Sequence, residues 1–106
     1  MRILNNNPLD LAGDDGETIS ISVSASNTVS SYTNNLNGNP LAGGSFVLSK
    51  ATANPYVLLV FMIFSGGAGG LYIVTLTGSN GGSSQYSVHQ YPGQASNAVA
   101  YSISIA

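Results

Sequence analysis

The sequence predicts an all-β fold, a two-sheet antiparallel sandwich of seven or eight short strands. Three observations carry that expectation. Apolar and polar residues alternate with period two in several short segments, which is the signature of a strand with one face buried. Gly, Asn and Pro recur between those segments at the spacing of turns. No stretch carries the 3.6-residue periodicity or the caps of a helix. The 106 residues suffice for one hydrophobic core, so residues 1–106 read as a single domain, with 1–11 as a possible docking arm.

Taken in order, the arm leads into the glycine- and acid-rich loop from Asp10 to Glu17. Ile19 to Ser26 is the clearest strand: Ile19, Ile21, Val23 and Ala25 face a core, while Ser20, Ser22, Ser24 and Ser26 face water. A weaker strand covers 31–36 and closes on the turn Asn37-Gly38-Asn39-Pro40. Ser45 to Lys50 is a short strand with Phe46 and Leu48 on one face. Ala53-Asn54-Pro55 then starts the most apolar strand, Val57 to Phe64. Ser65 to Gly70 reads as a flexible hairpin tip, because so many glycines weaken any regular element. Leu71 to Gly78 returns, Ser79 to Ser84 turns, and Gln85 to Tyr91 forms the next strand. After a connection over 92–97, Val99 to Ile105 alternates cleanly to the end.

Gly69-Gly70-Leu71-Tyr72-Ile73-Val74-Thr75-Leu76, a Gly-x-Tyr entering an alternating strand, resembles the penultimate strand of immunoglobulin-like and fibronectin-like domains of bacterial surface proteins. Gly13-Asp14-Asp15-Gly16-Glu17-Thr18-Ile19-Ser20-Ile21-Ser22 resembles the loop entering an early strand of the same domains. The resemblance implies an Ig-like sandwich and a structural Tyr72, whose hydroxyl would bond loop backbone at the corner. The Cys pair and core Trp of antibody domains are missing, and a shared fold of this kind carries no activity.

Composition narrows the function classes. Charged residues make up 6% of the chain, against 43% hydrophobic, and the net charge is −2. Arg2 and Lys50 are its only basic side chains. Nucleic-acid binding and attachment to anionic lipid lack their main source of energy. The longest apolar run has eight residues and cannot span a bilayer as a helix. There is no cysteine for a disulfide or thiolate site. The segment MRILNNNPLDL lacks the apolar stretch of an export signal. Scarce charge with abundant Ser, Asn and Gly matches extracellular or particle-surface proteins.

One constellation points to association. If Val57–Phe64 and Leu71–Gly78 pair as a hairpin, Leu59, Phe61, Ile63, Tyr72, Val74 and Leu76 share an inward face. Leu58, Val60, Met62, Phe64, Leu71 and Ile73 then lie on the opposite face, and Ser87, His89 and Tyr91 extend it. A sandwich buries one face of each sheet, so this second face should be polar, and it is not. Such a patch needs a cover. The N-terminal arm or the 37–55 segment, a second copy in a homo-oligomer or filament, and a ligand all qualify. The leading expectation is a non-enzymatic self-assembly module of a fibre, coat or surface layer.

The alternative is a carbohydrate-binding module with a shallow site at His89, Gln90, Tyr91, Gln94 and Asn97, an aromatic platform flanked by amides. Tyr32, Tyr56 and Tyr101 are further aromatic candidates. Asp10, Asp14, Asp15 and Glu17 form a weak calcium candidate whose spacing departs from the helix–loop–helix pattern. No other cofactor is expected. His89, the single histidine, has no partner pattern that marks catalysis, so no catalytic residue is assigned.

Overall fold

The computed structural model describes residues 1–25, 29–64 and 69–106, with backbone alone at 25, 29 and 30. Among the described residues, ten strands form two open sheets. They are β1 (Arg2–Leu4), β2 (Asn7–Gly13), β3 (Thr18–Ala25), β4 (Val29–Leu36), β5 (Asn39–Leu41), β6 (Ser45–Val47), β7 (Tyr56–Phe64), β8 (Gly70–Gly78), β9 (Ser83–Gln90) and β10 (Ser96–Ile105). One sheet has the order β1-β2-β10-β7-β4-β5 and the other β6-β3-β8-β9. The all-β class and the two sheets match expectation. The strand number is higher, because the N-terminal arm adds β1 and β2 and the segment after Leu36 adds β5. Pairing is antiparallel except between β2 and β10, which run parallel with Ile103 opposite Leu11.

Local sequence explains most of the elements. In β3, isoleucines 19 and 21 are buried and serines 20, 22 and 24 exposed; Ser26 lies outside the described residues. In β10, Val99, Tyr101, Ile103 and Ile105 are buried. The arm folds back on its own domain. Asn5 and Asn6, both at φ 54°, make the two-residue turn that joins β1 to β2. Asn37 and Gly38, at φ 51° and 83°, do the same between β4 and β5. Asn37 also clamps the start of β7: its N–H donates to the Val57 carbonyl and its Oδ1 accepts from the Val57 N–H, both at 2.8 Å.

The expected β7–β8 hairpin does not exist. β7 ends in the six-stranded sheet, between β10 and β4, and β8 begins in the four-stranded sheet, between β3 and β9. The expected hairpin tip at 65–68 lies outside the described residues. On either side of it, Phe64 and Tyr72 face each other through the core, ring centroids 4.9 Å apart. At the other end of β7, Tyr56 meets Phe46 of β6 at 5.7 Å, again across the two sheets. A glycine-rich connection lets a chain cross between layers as readily as turn within one. These ring contacts reward the crossing with aromatic burial.

Leu58, Val60 and Met62 are fully buried and Phe64 nearly so, packed with Leu11, Tyr101 and Ile103 against Ile19, Tyr72, Val74 and Leu76 of the opposite sheet. On the β2–β9 side, the Ser84 hydroxyl donates to the Pro8 carbonyl at 2.6 Å and ties the sheets together. Arg2 and Asp10 stand on β1 and β2, while Asp14, Asp15, Glu17 and Lys50 lie in the loops at the Val57 end. There the Glu17 side chain, 1% exposed, accepts from the Met1 amino group at 2.8 Å, the Asp14 N–H at 3.0 Å and the Asn80 N–H at 3.2 Å. Gly78 has to be glycine, because a Cβ there would collide with the Glu17 carboxylate.

Candidate association face

The face expected to mediate association is divided by the fold. Leu58, Val60, Met62 and Phe64 belong to the core. Leu71 and Ile73 lie on the outer face of the four-stranded sheet, opposite His89 and Ser87 of β9, as their half of the expected register requires. Tyr91 follows β9 and is 72% exposed. The seven residues therefore share no common surface. Around Leu71 and Ile73 the sheet is dominated by short polar side chains: Ser20, Ser22 and Ser24 of β3, and Thr75 and Thr77 of β8.

The error in phase has a physical cause. β7 is apolar at every position, so period two cannot say which of its faces turns inward. The residues expected inside are the ones outside. Val57 and Ile63 are 50% and 45% exposed, and Leu59 and Phe61 between them are half-buried. The outer face of a central strand is where a polar alternation would be expected.

Neighbouring strands shape this row into a ridge. On the β10 side, Ile63 lies opposite Ser96, Phe61 opposite Ala98, Leu59 opposite Ala100 and Val57 opposite Ser102. On the β4 side stand Ser31, Thr33 and Asn35. A line of large apolar side chains thus runs beside a trough floored by two alanines. Neighbouring strands lie about 4.8 Å apart, so ridge and trough are one strand spacing apart. Asp10 of β2, opposite Ser102, is the acidic side chain on this face, two strands from the ridge. These outer positions of β7 and the alanines of β10 were not singled out from sequence. The available signal was an eight-residue strand without one polar side chain, together with alanine at alternate positions of β10.

The sugar-site candidates lie close together but are engaged in building their own turn. The Gln90 amide donates to the Gln94 carbonyl at 2.8 Å, Gln94 Oε1 accepts from the Tyr91 N–H at 3.1 Å, and Asn97 Oδ1 accepts from the Ala98 N–H at 2.8 Å. Tyr91 and His89 remain exposed at the surface. The calcium candidates diverge. Asp15 caps the Lys50 N–H, Asp14 accepts from the Asn80 amide, Asp10 faces Asn5, and Glu17 holds the cage described above. Among the described residues no three acidic or histidine side chains converge on one point.

Tyr72 is buried on β8, but its hydroxyl makes no hydrogen bond, so the corner bond that the immunoglobulin-like resemblance implies is missing. Burial alone raises the Tyr72 phenol above its ordinary range. Tyr101 also carries an unbonded hydroxyl, and burial together with nearby Tyr86 raises it further. No protein-family model, curated protein or solved structure matches the chain.

Proposed function

We propose that the chain is a non-enzymatic structural module that self-associates through the outer face of the six-stranded sheet, as in an extracellular fibre, coat or surface layer. The carrying observation is the apolar ridge Val57–Leu59–Phe61–Ile63 beside the Ala98–Ala100 trough. This relief suits a second copy of itself. A two-fold axis parallel to the strands, passing between β7 and β10, sets the ridge of each copy into the trough of the other. Six strands of about seven residues present roughly 600–800 Å². That approaches the ~800 Å² per partner of a stable interface. With so little charge on the face, no cluster of like charges opposes the contact.

The immunoglobulin-like affiliation adds the suggestion of a surface-protein module. Its support is the Gly70-Leu71-Tyr72 entry into β8, and the self-association reading does not depend on it. Sedimentation equilibrium over a wide concentration range tests the proposal. The wild-type mass rises from monomer toward dimer, whereas Ala100→Arg, which fills the trough with a cation, stays monomeric at an unchanged melting temperature. A wild-type mass that holds at monomer up to about millimolar concentration refutes it.

A further inference from the structure

On the side of the sandwich away from the Ser84–Pro8 tie, the sheets leave a groove of about 640 Å³. Its lining includes Tyr32 and Asn34 of β4, Leu41 of β5 and Gly43–Gly44, which lead into β6. Its size falls within the range of small-molecule sites, roughly 300–1,000 Å³. Tyr32 and Asn34 pair with Met62 and Val60, whose side chains point inward, while Thr33 and Asn35, which also line the groove, flank the ridge on the outer face.

Three properties of the groove specify a ligand. The first is an unmet hydrogen bond. Asn34 is 5% exposed, and its Oδ1 is buried with no partner. A buried amide oxygen in this state is costly, and a donor that reached it would recover the loss. The last torsion of an asparagine side chain is broad and soft, so the amide adjusts to such a donor at little cost. The second is an aromatic wall. Tyr32 lies two residues away on the same side of the strand and is 38% exposed. The third is the absence of charge, since among the described residues no ionisable side chain other than the Tyr32 phenol lines the space. Gly43 keeps its wall bare, with φ 85° and no atom within 4 Å of where a Cβ would stand.

An aromatic face, an amide oxygen waiting for a donor and a neutral wall together select an uncharged ligand with hydroxyl donors and an apolar ring face. We propose that this groove binds a neutral sugar residue, with Tyr32 stacking on the ring and Asn34 accepting a hydroxyl. Phosphorylated or acidic ligands find no countercharge here. The site is separate from the turn at 90–97.

The test is an amide-resolved NMR titration of the full chain with methyl glucoside, methyl galactoside, methyl mannoside and N-acetylglucosamine. Glucose 6-phosphate serves as the charged control. At least one neutral sugar gives saturable shifts at residues 32–35 and 41–44, and the phosphate ester binds more weakly than that sugar does. Tyr32→Ala and Asn34→Leu each weaken the interaction by about tenfold, the loss of one good contact. Tyr32 lies at the mouth, so its variant keeps the test valid should Asn34→Leu fail to fold. The proposal is overturned if all four sugars leave these amides unmoved up to about 10 mM, well above a millimolar dissociation constant. Shifts confined to the neighbourhood of Tyr91 overturn it equally.

Discussion

Phe61→Glu is the sharpest perturbation of the proposed interface. Phe61 is half-buried at the centre of the ridge, between Ala98 of β10 and Thr33 of β4. Complete burial of such a side chain is worth roughly 1.5–3 kcal/mol, so the part still wet in the isolated chain accounts for about 1 kcal/mol. The two-fold arrangement counts this twice, so loss of apolar contact alone costs the dimer about 2 kcal/mol, some thirtyfold in its dissociation constant. Glutamate also carries a charge into an apolar trough. Even partial desolvation of two carboxylates adds several kcal/mol, so weakening of more than a thousandfold is expected. The isolated fold should tolerate the change, because the side chain points away from the core and Leu59 and Ile63 still cover its flanks. Sedimentation equilibrium beside a thermal melt of the same sample reads both quantities. If Phe61→Glu dimerises like wild type while remaining folded, the ridge is not the interface and the reasoning fails. If the variant unfolds as a monomer, the outer face of β7 contributes to the fold itself, and the two-sided account of this strand is wrong.

Three further outcomes follow from the core and loops. Met62→Ala should lower unfolding free energy by about 2–5 kcal/mol, because Met62 is wholly enclosed; a loss below 1 kcal/mol in chemical denaturation would contradict its place between the sheets. Tyr72→Phe should be neutral or stabilising by up to about 1 kcal/mol, since the hydroxyl it removes is buried without a partner. A tyrosine corner would give the opposite sign, so the same denaturation curve also tests the immunoglobulin-like affiliation. For Glu17, burial opposes ionisation, but hydrogen bonds from the Met1 amino group, Asp14 and Asn80 prevail and hold its carboxyl below the ordinary range. Its contribution is therefore complete above the unfolded-chain value near pH 4.3 and is lost as pH falls through the lower folded value. Glu17→Gln should cost about 1–3 kcal/mol at neutral pH and flatten that acid limb. An unaltered acid limb in the variant would show that other groups control it.

The parts of the fold that sequence made visible are those where serine marks one side of a strand. In β3 and β10, Ser alternates with Ile, Val or Tyr, and burial follows that alternation residue by residue. The β8–β9 register was readable too, because a short glycine turn joins strands that do pair. β7 was opaque for the opposite reason. With apolar side chains on both faces, its pattern held no phase, and half of the candidate face came out reversed. Which sheet a strand enters is decided by contacts far apart in the chain, such as Phe64 on Tyr72 and Phe46 on Tyr56. The parallel pairing of β2 was hidden because Asn7-Pro8-Leu9-Asp10-Leu11 carries proline and weak alternation. The groove at Tyr32 and Asn34 had one readable trace. Tyr32, Asn34 and Leu36 fall at alternate positions, so an asparagine stands on the inward face of a strand.

The place of β10 between β2 and β7 bears on how the chain is made. Residues 96–105 are synthesised after the other nine described strands, yet the arm joins β7, β4 and β5 only through them. A nascent chain lacking those ten residues has an incomplete hydrophobic floor and two bare backbone edges, where pairing with a neighbour on another ribosome competes with self-completion. Biogenesis of this fold therefore rewards a chaperone that shields β7 until the closing strand arrives.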